Sequence, residues 1–308
     1  MQLWPLRERC ARTVADALSP DRPWARVRQL DAERVVAEVA AETGTRFTLE
    51  GPCPGGQVGA AYVRWPDGHR AVLTWRPGIK LAEVRRGPLA VVDALRAVGY
   101  PAPATELAVQ IGESVVVIQE LLLGTKIDHL DNDALGQALA LNALQRGQLA
   151  QRGDIPLMKL FLCSDGPGFC LHEPLRQFSQ RSAALDDWIR AVGTEHDDLL
   201  AGDDAVHCDF HPDNMLHKGG AITGIVDWDG ACRGDCRLDL ITLRFGVLPG
   251  KCDPGVEGRL DAILDGMPDS VLRPAWAHMS LRMADWAIRH FGTDDVEYWV
   301  SLAERRVS

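Results

Sequence analysis

The sequence predicts an α+β protein with two lobes, a small antiparallel-sheet lobe followed by a larger, mainly helical one. Between residues 47 and 76, short apolar runs are separated by glycine turns, a pattern typical of antiparallel strands. After Gly124 the apolar spacing becomes helical over much of the remaining chain. The 308 residues, 46% of them hydrophobic, suffice for one large core or two modest ones.

The first lobe is predicted from the alternation of strands and turns. Residues 54–59 form a glycine-rich turn and residues 66–68 a tight turn. A helix is expected over residues 81–98, because Gly99 ends its apolar spacing. Residues 119–122 continue from the last predicted strand and are expected to connect the lobes. The predicted strands cover residues 47–49, 60–65, 69–76 and 115–118.

The segments outside the sheet are predicted to be mainly helical. Residues 5–43 have helical apolar spacing broken at Ser19–Pro20 and Pro23, which indicates two helices that form an appendage or a lid. In the second lobe, helices are expected at residues 134–149 and 185–192, a loop-rich insert at 162–175, a hairpin at 215–228, and two or three final helices. The predicted units are residues 1–45, 46–118, a hinge at 119–124, and 125–308.

The charge distribution restricts the partners of the protein. The formal net charge is -10 and the pI about 5.4, whereas nucleic acid or an anionic membrane would require a basic face. From residue 200 onward, 18 acidic residues stand against 11 basic ones, so this third carries -7 of the total. A small cationic ligand is therefore the expected partner.

The chain lacks the features of an exported or membrane protein. Residues 1–21 have neither the apolar core nor the cleavage site of a signal peptide, and no run approaches the roughly 18 apolar residues of a membrane span. The eight cysteines form no Cys-x-x-Cys pair, which suits reduced thiols. These observations predict a cytoplasmic location.

The most informative segment is His207-Cys-Asp-Phe-His-Pro-Asp-Asn214, followed thirteen residues later by Asp227-Trp-Asp229. The order of its side chains predicts a phosphoryl-transfer site. A carboxylate at Asp209 can meet a reacting hydroxyl, while Asn214 and Asp227 offer the oxygen ligands that Mg²⁺ prefers. His207 and His211 are expected to tie the loop to its surroundings, and Asp229 to support the metal ligands.

Two other interpretations of this segment remain open at the level of sequence. It could be a polar turn in which Asp and Asn cap the backbone. It could also be a transition-metal site formed by His207, Cys208, Asp209 and His211, although that site would leave Asn214 without a role. Two further acids, at positions 235 and 239, are expected to cap or brace the following helix.

The block from His207 to Asn214, together with Asp227-Trp-Asp229 and Gly234-Asp235-x-x-x-Asp239-Leu240, resembles the aminoglycoside phosphotransferase and choline kinase family. The resemblance implies the bilobal protein-kinase-like fold, with ATP or GTP as the phosphoryl donor and Mg²⁺ as the cofactor. It implies Asp209 as the catalytic base and Asn214 and Asp227 as the metal ligands. Residues 55–59 would cover the phosphates, and residues 119–122 would hold the adenine.

The first lobe departs from the family pattern at the phosphate-binding cation. Thr74 stands where a Lys or Arg is expected, and Arg76 follows on the same face of the strand. No Glu lies near Pro88, so Glu83 is the nearest carboxylate for the first helix and Lys80 another nearby cation. The nucleotide-binding candidates are Gly55, Gly56, Gly59, Arg76, Gln119, Glu120 and Leu122.

The end of the chain is rich in tryptophan and acidic residues. Tryptophans at helical spacing usually belong to the core, and exposed acids usually face solvent. In the family that the chain resembles, however, this region lines the acceptor pocket, which makes Asp285, Trp286 and Glu297 candidate acceptor-binding residues. The predicted function is transfer of the γ-phosphoryl group of ATP to a hydroxyl of an aminoglycoside or basic peptide antibiotic. Alternatives are a metabolic kinase for choline, homoserine, a sugar or a nucleoside-like compound, and a degenerate nucleotide-binding pseudokinase.

Overall fold

The computed structural model describes residues 29–54 and 58–307. Five antiparallel strands form the sheet of the first lobe in the spatial order β1-β2-β3-β5-β4. The strands are β1 (Thr48–Cys53), β2 (Ala60–Arg64), β3 (Arg70–Pro77), β4 (Thr105–Ile111) and β5 (Ser114–Glu120). Strand β4 was not predicted from the sequence. All seven of its residues are half-buried, and its alternate residues Leu107, Val109 and Ile111 pack against the core of this lobe.

One face of this sheet packs against helix α1 (Ala32–Thr43). Alternate residues of β3, including Leu73 and Trp75, share a core cluster with Val35 and Val39 of the helix. The helix begins at Asp31, whose side chain accepts the N–H of Arg34 at 3.2 Å. Helix α1 is therefore part of the core of the first lobe. The other predicted N-terminal helix lies outside the described residues, and the division of the chain at residues 45, 118 and 124 stays a prediction.

The opposite face of the sheet is covered by two short helices where one had been predicted. Helix α2 (Leu81–Arg86) ends at Gly87, and α3 (Pro88–Ala97) begins at the next residue. Gly87 has φ -97° and ψ -107°, outside the helical region, and Pro88 has no N–H with which to continue a helix. The single helix predicted over residues 81–98 is thus wrong at this junction.

The second lobe is mainly helical around three small sheets. Its helices are α4 (Asn132–Leu144), α5 (His172–Phe178), α6 (Gln180–Glu195), α7 (Arg237–Gly246), α8 (Val256–Asp265), α9 (Asp269–His290) and α10 (Thr293–Glu304). The sheets pair β6 (Thr125–Lys126) and β11 (Ala221–Ile225) with β10 (Met215–Lys218), β9 (Asp204–Val206) with β12 (Cys232–Gly234), and β7 (Met158–Lys159) with β8 (Leu199–Leu200). A 3₁₀ turn covers Pro212–Asn214.

One prediction for the second lobe needs correction. Helix α4 ends at Leu144 instead of 149, because the N–H groups of Gly147 and Leu149 donate to Asp204 and Asp203. In the predicted loop-rich insert at residues 162–175, α5 begins at His172.

The lobes are joined where β5 ends at Glu120. Its carboxylate accepts the N–H of Ala104 at 3.0 Å, which fixes the end of the strand. Gly124 then passes against β10 and β11. A Cβ at this position would lie 2.7 Å from Oγ1 of Thr223 and 2.9 Å from the oxygen of His217, so only glycine fits. Among the described helices, none has both the length and the apolar character to cross a membrane.

Candidate active site

The segment from His207 to Asn214 joins β9 to β10 and ends in the 3₁₀ turn, and Asp239 of α7 anchors its start. The carboxylate of Asp239 is fully buried and accepts the N–H groups of His207 at 2.8 Å and Cys208 at 2.9 Å. Burial raises the pKa of Asp239 to about 6. Asp239 was expected to brace its own helix. The structure shows that it also braces the loop that begins at His207.

His207 is fixed in the neutral form by its surroundings. Its Nε2 bonds to the oxygen of Val226 at 3.0 Å, and its Nδ1 accepts the N–H of Asp209 at 3.1 Å. Burial lowers the pKa of His207 to about 4, and its ring lies 4.3 Å from that of Trp228. Both ring nitrogens are thus engaged by backbone groups. Across residues 29–54 and 58–307, no group of three or more His, Cys, Asp or Glu side chains could hold a metal, which removes support for the transition-metal interpretation.

Asp209 is held by three donors. Its Oδ1 accepts from Nη2 of Arg282 at 2.7 Å, and its Oδ2 accepts from Nδ2 of Asn214 at 2.9 Å and pairs with Nε2 of His211 at 3.3 Å. Removal from bulk water opposes ionisation, but the charges of His211 and Arg282 outweigh it and hold the pKa of Asp209 well below its usual range. His211 can lie this close because Gly246 of α7 faces its Cβ. The carboxylate is therefore ionised and fixed in direction.

Asp227 follows β11 and lies beside this loop. The N–H of Val226 donates to the backbone oxygen of Asn214 at 2.9 Å, which joins the end of the strand to the 3₁₀ turn. Asp227 itself has φ 66°, a left-handed conformation that is uncommon for a residue with a side chain. Asp227 is exposed to solvent. Desolvation, with repulsion from Asp229 and Asp209, raises its pKa to about 7.

Arg76 reaches this cluster from the first lobe. Its guanidinium forms an ion pair with Asp229 through Nη2 and is only 9% exposed. Its Nε and Nη1 are buried and have no hydrogen-bond partner among the described residues. Thr74 is half-buried, whereas Glu83 and Lys80 are exposed. The carboxylate that pairs with Arg76 is therefore Asp229 and not Glu83.

The other candidate nucleotide-binding residues lie along the sheet and the hinge. Gly59 has φ 89°, while Gly55 and Gly56 lie outside the described residues. The hinge candidates Gln119 and Glu120 belong to the end of β5, so the connector begins later than predicted. Leu122 packs against Gly224 of β11, where a Cβ would lie 2.7 Å from its Cδ1. These residues stay predictions as nucleotide contacts.

The three candidate acceptor residues do not form one group with Asp209. Asp285 is fully buried and accepts from Arg289 at 2.7 Å. Trp286 packs in an aromatic group, with its ring 6.3 Å from that of Trp299. Glu297 forms an ion pair with Arg181 on α6, and both side chains are about two-fifths exposed. Arginine residues therefore already engage both predicted acceptor carboxylates.

The family model described as "Phosphotransferase enzyme family" matches residues 52–267, more than half of the chain, and the match includes Asp209, Asn214 and Asp227. The chain belongs to the phosphotransferase enzyme family. The resemblance drawn from the motifs, and the prediction of a kinase that acts on hydroxyl groups, are thereby confirmed.

Solved structures of phosphotransferases are similar to this one. A thermostable mutant of aminoglycoside phosphotransferase APH(4)-Ia, in the apo form, is 16% identical with a TM-score of 0.64, covering 88% of this chain and 98% of that chain. Spectinomycin phosphotransferase APH(9)-Ia, in complex with ADP and spectinomycin, is 12% identical with a TM-score of 0.55, covering 89% and 98%. These similarities confirm the bilobal kinase-like fold. A search of curated protein sequences gives no significant match.

Two residues that contact the reactive loop of this phosphotransferase were not assigned to it from the sequence. Arg282 lies 73 residues beyond Asp209, and no spacing rule links them. Asp239 was noted only as a brace for its own helix. The one available signal for Arg282 was that it lies three residues before the predicted acceptor residue Asp285, on the same side of a helix.

Proposed function

We propose that this phosphotransferase transfers the γ-phosphoryl group of ATP to a hydroxyl of a small-molecule antibiotic and so confers resistance on its host. The acceptor would be of the aminoglycoside or basic peptide type. The observation that carries the proposal is the ionised carboxylate of Asp209, held by Arg282, Asn214 and His211, beside the carboxylate of Asp227.

Asp209 is proposed to orient the acceptor hydroxyl. In a loose phosphoryl-transfer transition state, the nucleophile needs direction more than early loss of its proton. A carboxylate whose pKa is held low is a poor base but remains a good hydrogen-bond acceptor. The three donors around Asp209 leave the carboxylate little freedom to rotate, so a hydroxyl bonded to it would meet the phosphate in one direction.

Asn214 and Asp227 are proposed to hold Mg²⁺. The Nδ2 group of Asn214 is bonded to Asp209, so its Oδ1 is the atom that can face a cation. Asp227 offers a carboxylate whose repulsion from Asp229 and Asp209 a cation would relieve. Both groups are hard oxygen donors and fit Mg²⁺. When bound, the ion would neutralise charge on the nucleotide phosphates.

The nucleotide is proposed to lie between the glycine-rich turn and the hinge. One structure of APH(4)-Ia is a ternary complex with AMP-PNP and hygromycin B, at 15% identity and a TM-score of 0.64, with 89% of this chain and 97% of that chain covered. That complex supports a nucleoside triphosphate as donor here. In this arrangement residues 46–118 bind the nucleotide and residues 125–308 carry catalysis and the acceptor. GTP as an alternative donor and a cytoplasmic location stay predictions.

Arg76 is proposed as the phosphate-binding cation in place of a residue at position 74. Its Nε and Nη1 lack partners, so they are available to a phosphate oxygen. Replacing Arg76 with alanine is expected to raise the KM for ATP by about 10-fold or more, because a charge-assisted hydrogen bond is lost. Steady-state kinetics with varied ATP would measure it. Arg70→Ala is the matched control, since Arg70 lies at the other end of β3 and pairs with Glu50.

An unchanged KM in Arg76→Ala would move this role to another residue. The two unpartnered donors of Arg76 bear on nucleotide binding, which a nucleotide-binding pseudokinase would share. The match to the phosphotransferase enzyme family, which includes Asp209, Asn214 and Asp227, is what weighs against a pseudokinase. A metabolic kinase with the same catalytic loop is the remaining second candidate, because Asp209 and its partners would serve any hydroxyl.

The antibiotic proposal is tested in cells. Expression of the protein in a susceptible bacterium is expected to raise the inhibitory concentration of at least one aminoglycoside or hydroxylated basic peptide antibiotic. Cells that express Asp209→Asn should remain susceptible. In parallel, nucleotide consumption is measured against a panel of antibiotics, choline, homoserine and sugars. Turnover of a metabolite with no change in susceptibility would replace the antibiotic proposal with the metabolic kinase.

A further inference from the structure

Arg282 of α9 contacts the loop that carries Asp209 at two atoms. Its Nη2 donates to Oδ1 of Asp209 at 2.7 Å, and its Nη1 donates to the backbone oxygen of Cys208. One guanidinium thus binds two successive residues of the loop, one through its backbone and one through its carboxylate. The other two partners of the carboxylate come from the loop itself, so Arg282 is its link to the body of the second lobe.

Helix α9 is a rigid support for this contact. Its residues Trp276 and Leu281 are at most 1% exposed and belong to the main core of the second lobe. One turn after Arg282, the buried Asp285 accepts the N–H of Leu171 at 2.9 Å. The helix therefore holds the Asp209 loop and the segment before α5 at the same time. Because the helix is closely packed in the core, the backbone that carries Arg282 has little freedom to move.

The contact also acts on a strained residue. Cys208 has φ 67°, a left-handed conformation that costs free energy for a residue with a side chain. Asp239 binds its N–H and Arg282 its carbonyl oxygen, so the two peptide groups of Cys208 are held by two different helices, α7 and α9. These contacts fix the direction in which the next residue, Asp209, leaves the backbone.

We infer that Arg282 is a positioning residue for phosphoryl transfer, which fixes the direction of the Asp209 carboxylate and does not merely compensate its charge. The inference rests on the proposed role of Asp209 in orienting the acceptor hydroxyl. Because Oδ1 is tied to Arg282, the carboxyl cannot rotate freely about its Cβ–Cγ bond, and Oδ2 stays directed toward Asn214 and His211. A displacement of about 1 Å at this carboxylate would cost roughly 100-fold in rate.

Charge compensation and orientation make different demands on position 282. A lysine supplies the same charge, but its single ammonium lacks the fixed fork that reaches a carbonyl oxygen and a carboxylate together. If charge alone matters, Arg282→Lys will behave like the wild type. If orientation matters, Arg282→Lys will remain impaired although its charge is intact.

The experiment compares Arg282→Ala and Arg282→Lys, with Mg²⁺·ATP and with water as the acceptor. Both variants are expected to lose roughly 100-fold in kcat with an unchanged KM for ATP, because neither contact of Arg282 involves the proposed nucleotide residues. Arg273→Ala is the matched control. Arg273 lies on the same helix and pairs with Glu195 at 3.2 Å, so its loss tests removal of an arginine ion pair from α9 away from the loop.

Chemical rescue separates positioning from a general loss of structure. Methylguanidinium, at concentrations well below those that unfold the protein, is expected to restore part of the kcat of Arg282→Ala, because it can reoccupy the space beside Asp209. It should not restore Asp209→Asn. Wild-type kcat in Arg282→Lys, or a control that falls as far as Arg282→Ala, would overturn the inference.

A crystal structure of Arg282→Ala tests the inference without any measurement of activity. The carboxylate of Asp209 is expected to turn away from Asn214 and His211, and an unchanged carboxylate would overturn the inference. Absence of any turnover by the wild type would instead count against the proposed function, and the structure of the variant would still decide the role of Arg282.

Discussion

Replacing Asp209 with asparagine is expected to reduce kcat about 10³-fold while the affinity for Mg²⁺-nucleotide stays unchanged. The carboxylate presents two acceptor oxygens to the donors of Arg282, Asn214 and His211. An asparagine keeps one oxygen and turns an NH₂ group toward a neighbouring donor, so the side chain must rotate or lose a partner. Either change removes the fixed acceptor that the hydroxyl requires, although it leaves Asn214 and Asp227 in place. Single-turnover kinetics and calorimetric titration with nucleotide would measure the two quantities.

Asp203→Asn provides the control for this variant. Asp203 lies six residues earlier and pairs with Arg233 at 3.0 Å, so the same chemical change is made in an arginine ion pair outside the loop. Its kcat should match that of the wild type. Near wild-type kcat in Asp209→Asn would mean that another group orients the hydroxyl, and the proposed mechanism would then be wrong.

The local part of the site was predictable because its residues are close in sequence. A loop of eight residues brings His207, Asp209 and Asn214 together in any fold. The hairpin predicted over residues 215–228 returns the chain to the same place, which puts Asp227 beside Asn214. Spacing and turn chemistry therefore sufficed for the second-lobe half of the cluster.

The contacts between distant segments were not predictable. Arg282 meets Asp209 across 73 residues, and Arg76 meets Asp229 across the two lobes. Such pairs depend on how α9 and β3 pack against the cluster, and this packing cannot be derived from a single sequence. The helix predicted over residues 81–98 failed for a different reason: the break at Gly87–Pro88 is a local signal in the sequence that the apolar spacing obscured.

The acidic excess of the last third does not by itself locate the acceptor site. Asp285 and Glu297 supported a cationic ligand when counted as free charges. In the structure, Arg289 and Arg181 already pair with them. Net charge describes long-range attraction, whereas a binding site requires carboxylates that no neighbour neutralises. In the cluster, Asp229 is paired with Arg76, whereas Asp227 is repelled by Asp229 and Asp209 and faces the proposed cation.

Replacing Asp227 with asparagine is expected to abolish most of the gain in nucleotide affinity that Mg²⁺ provides, and to lower kcat about 10³-fold. The neutral amide keeps the size of the side chain but loses the charge that would bind the ion. Titration of ATP with and without Mg²⁺ separates this loss from a change in the nucleotide pocket, because affinity without the metal should not fall. Equal Mg²⁺ dependence in variant and wild type would remove Asp227 from the metal site.

The same substitution should stabilise the ligand-free protein, whereas replacing an aspartate that supports the fold would destabilise it. The pKa of Asp227 rises from its ordinary 3.8 to about 7 on folding, so the folded state holds this proton more tightly than the unfolded state. Ionised Asp227 therefore lowers stability progressively as the pH rises from about 4 to about 7, and the full cost remains above that range. Asp227→Asn is expected to raise Tm more at about pH 8 than at about pH 5, as measured by calorimetry without metal. A lower Tm at both pH values would mean that Asp227 supports the fold. A higher Tm together with lost activity in Asp227→Asn would show that the native carboxylate destabilises the fold and is needed to bind the cation.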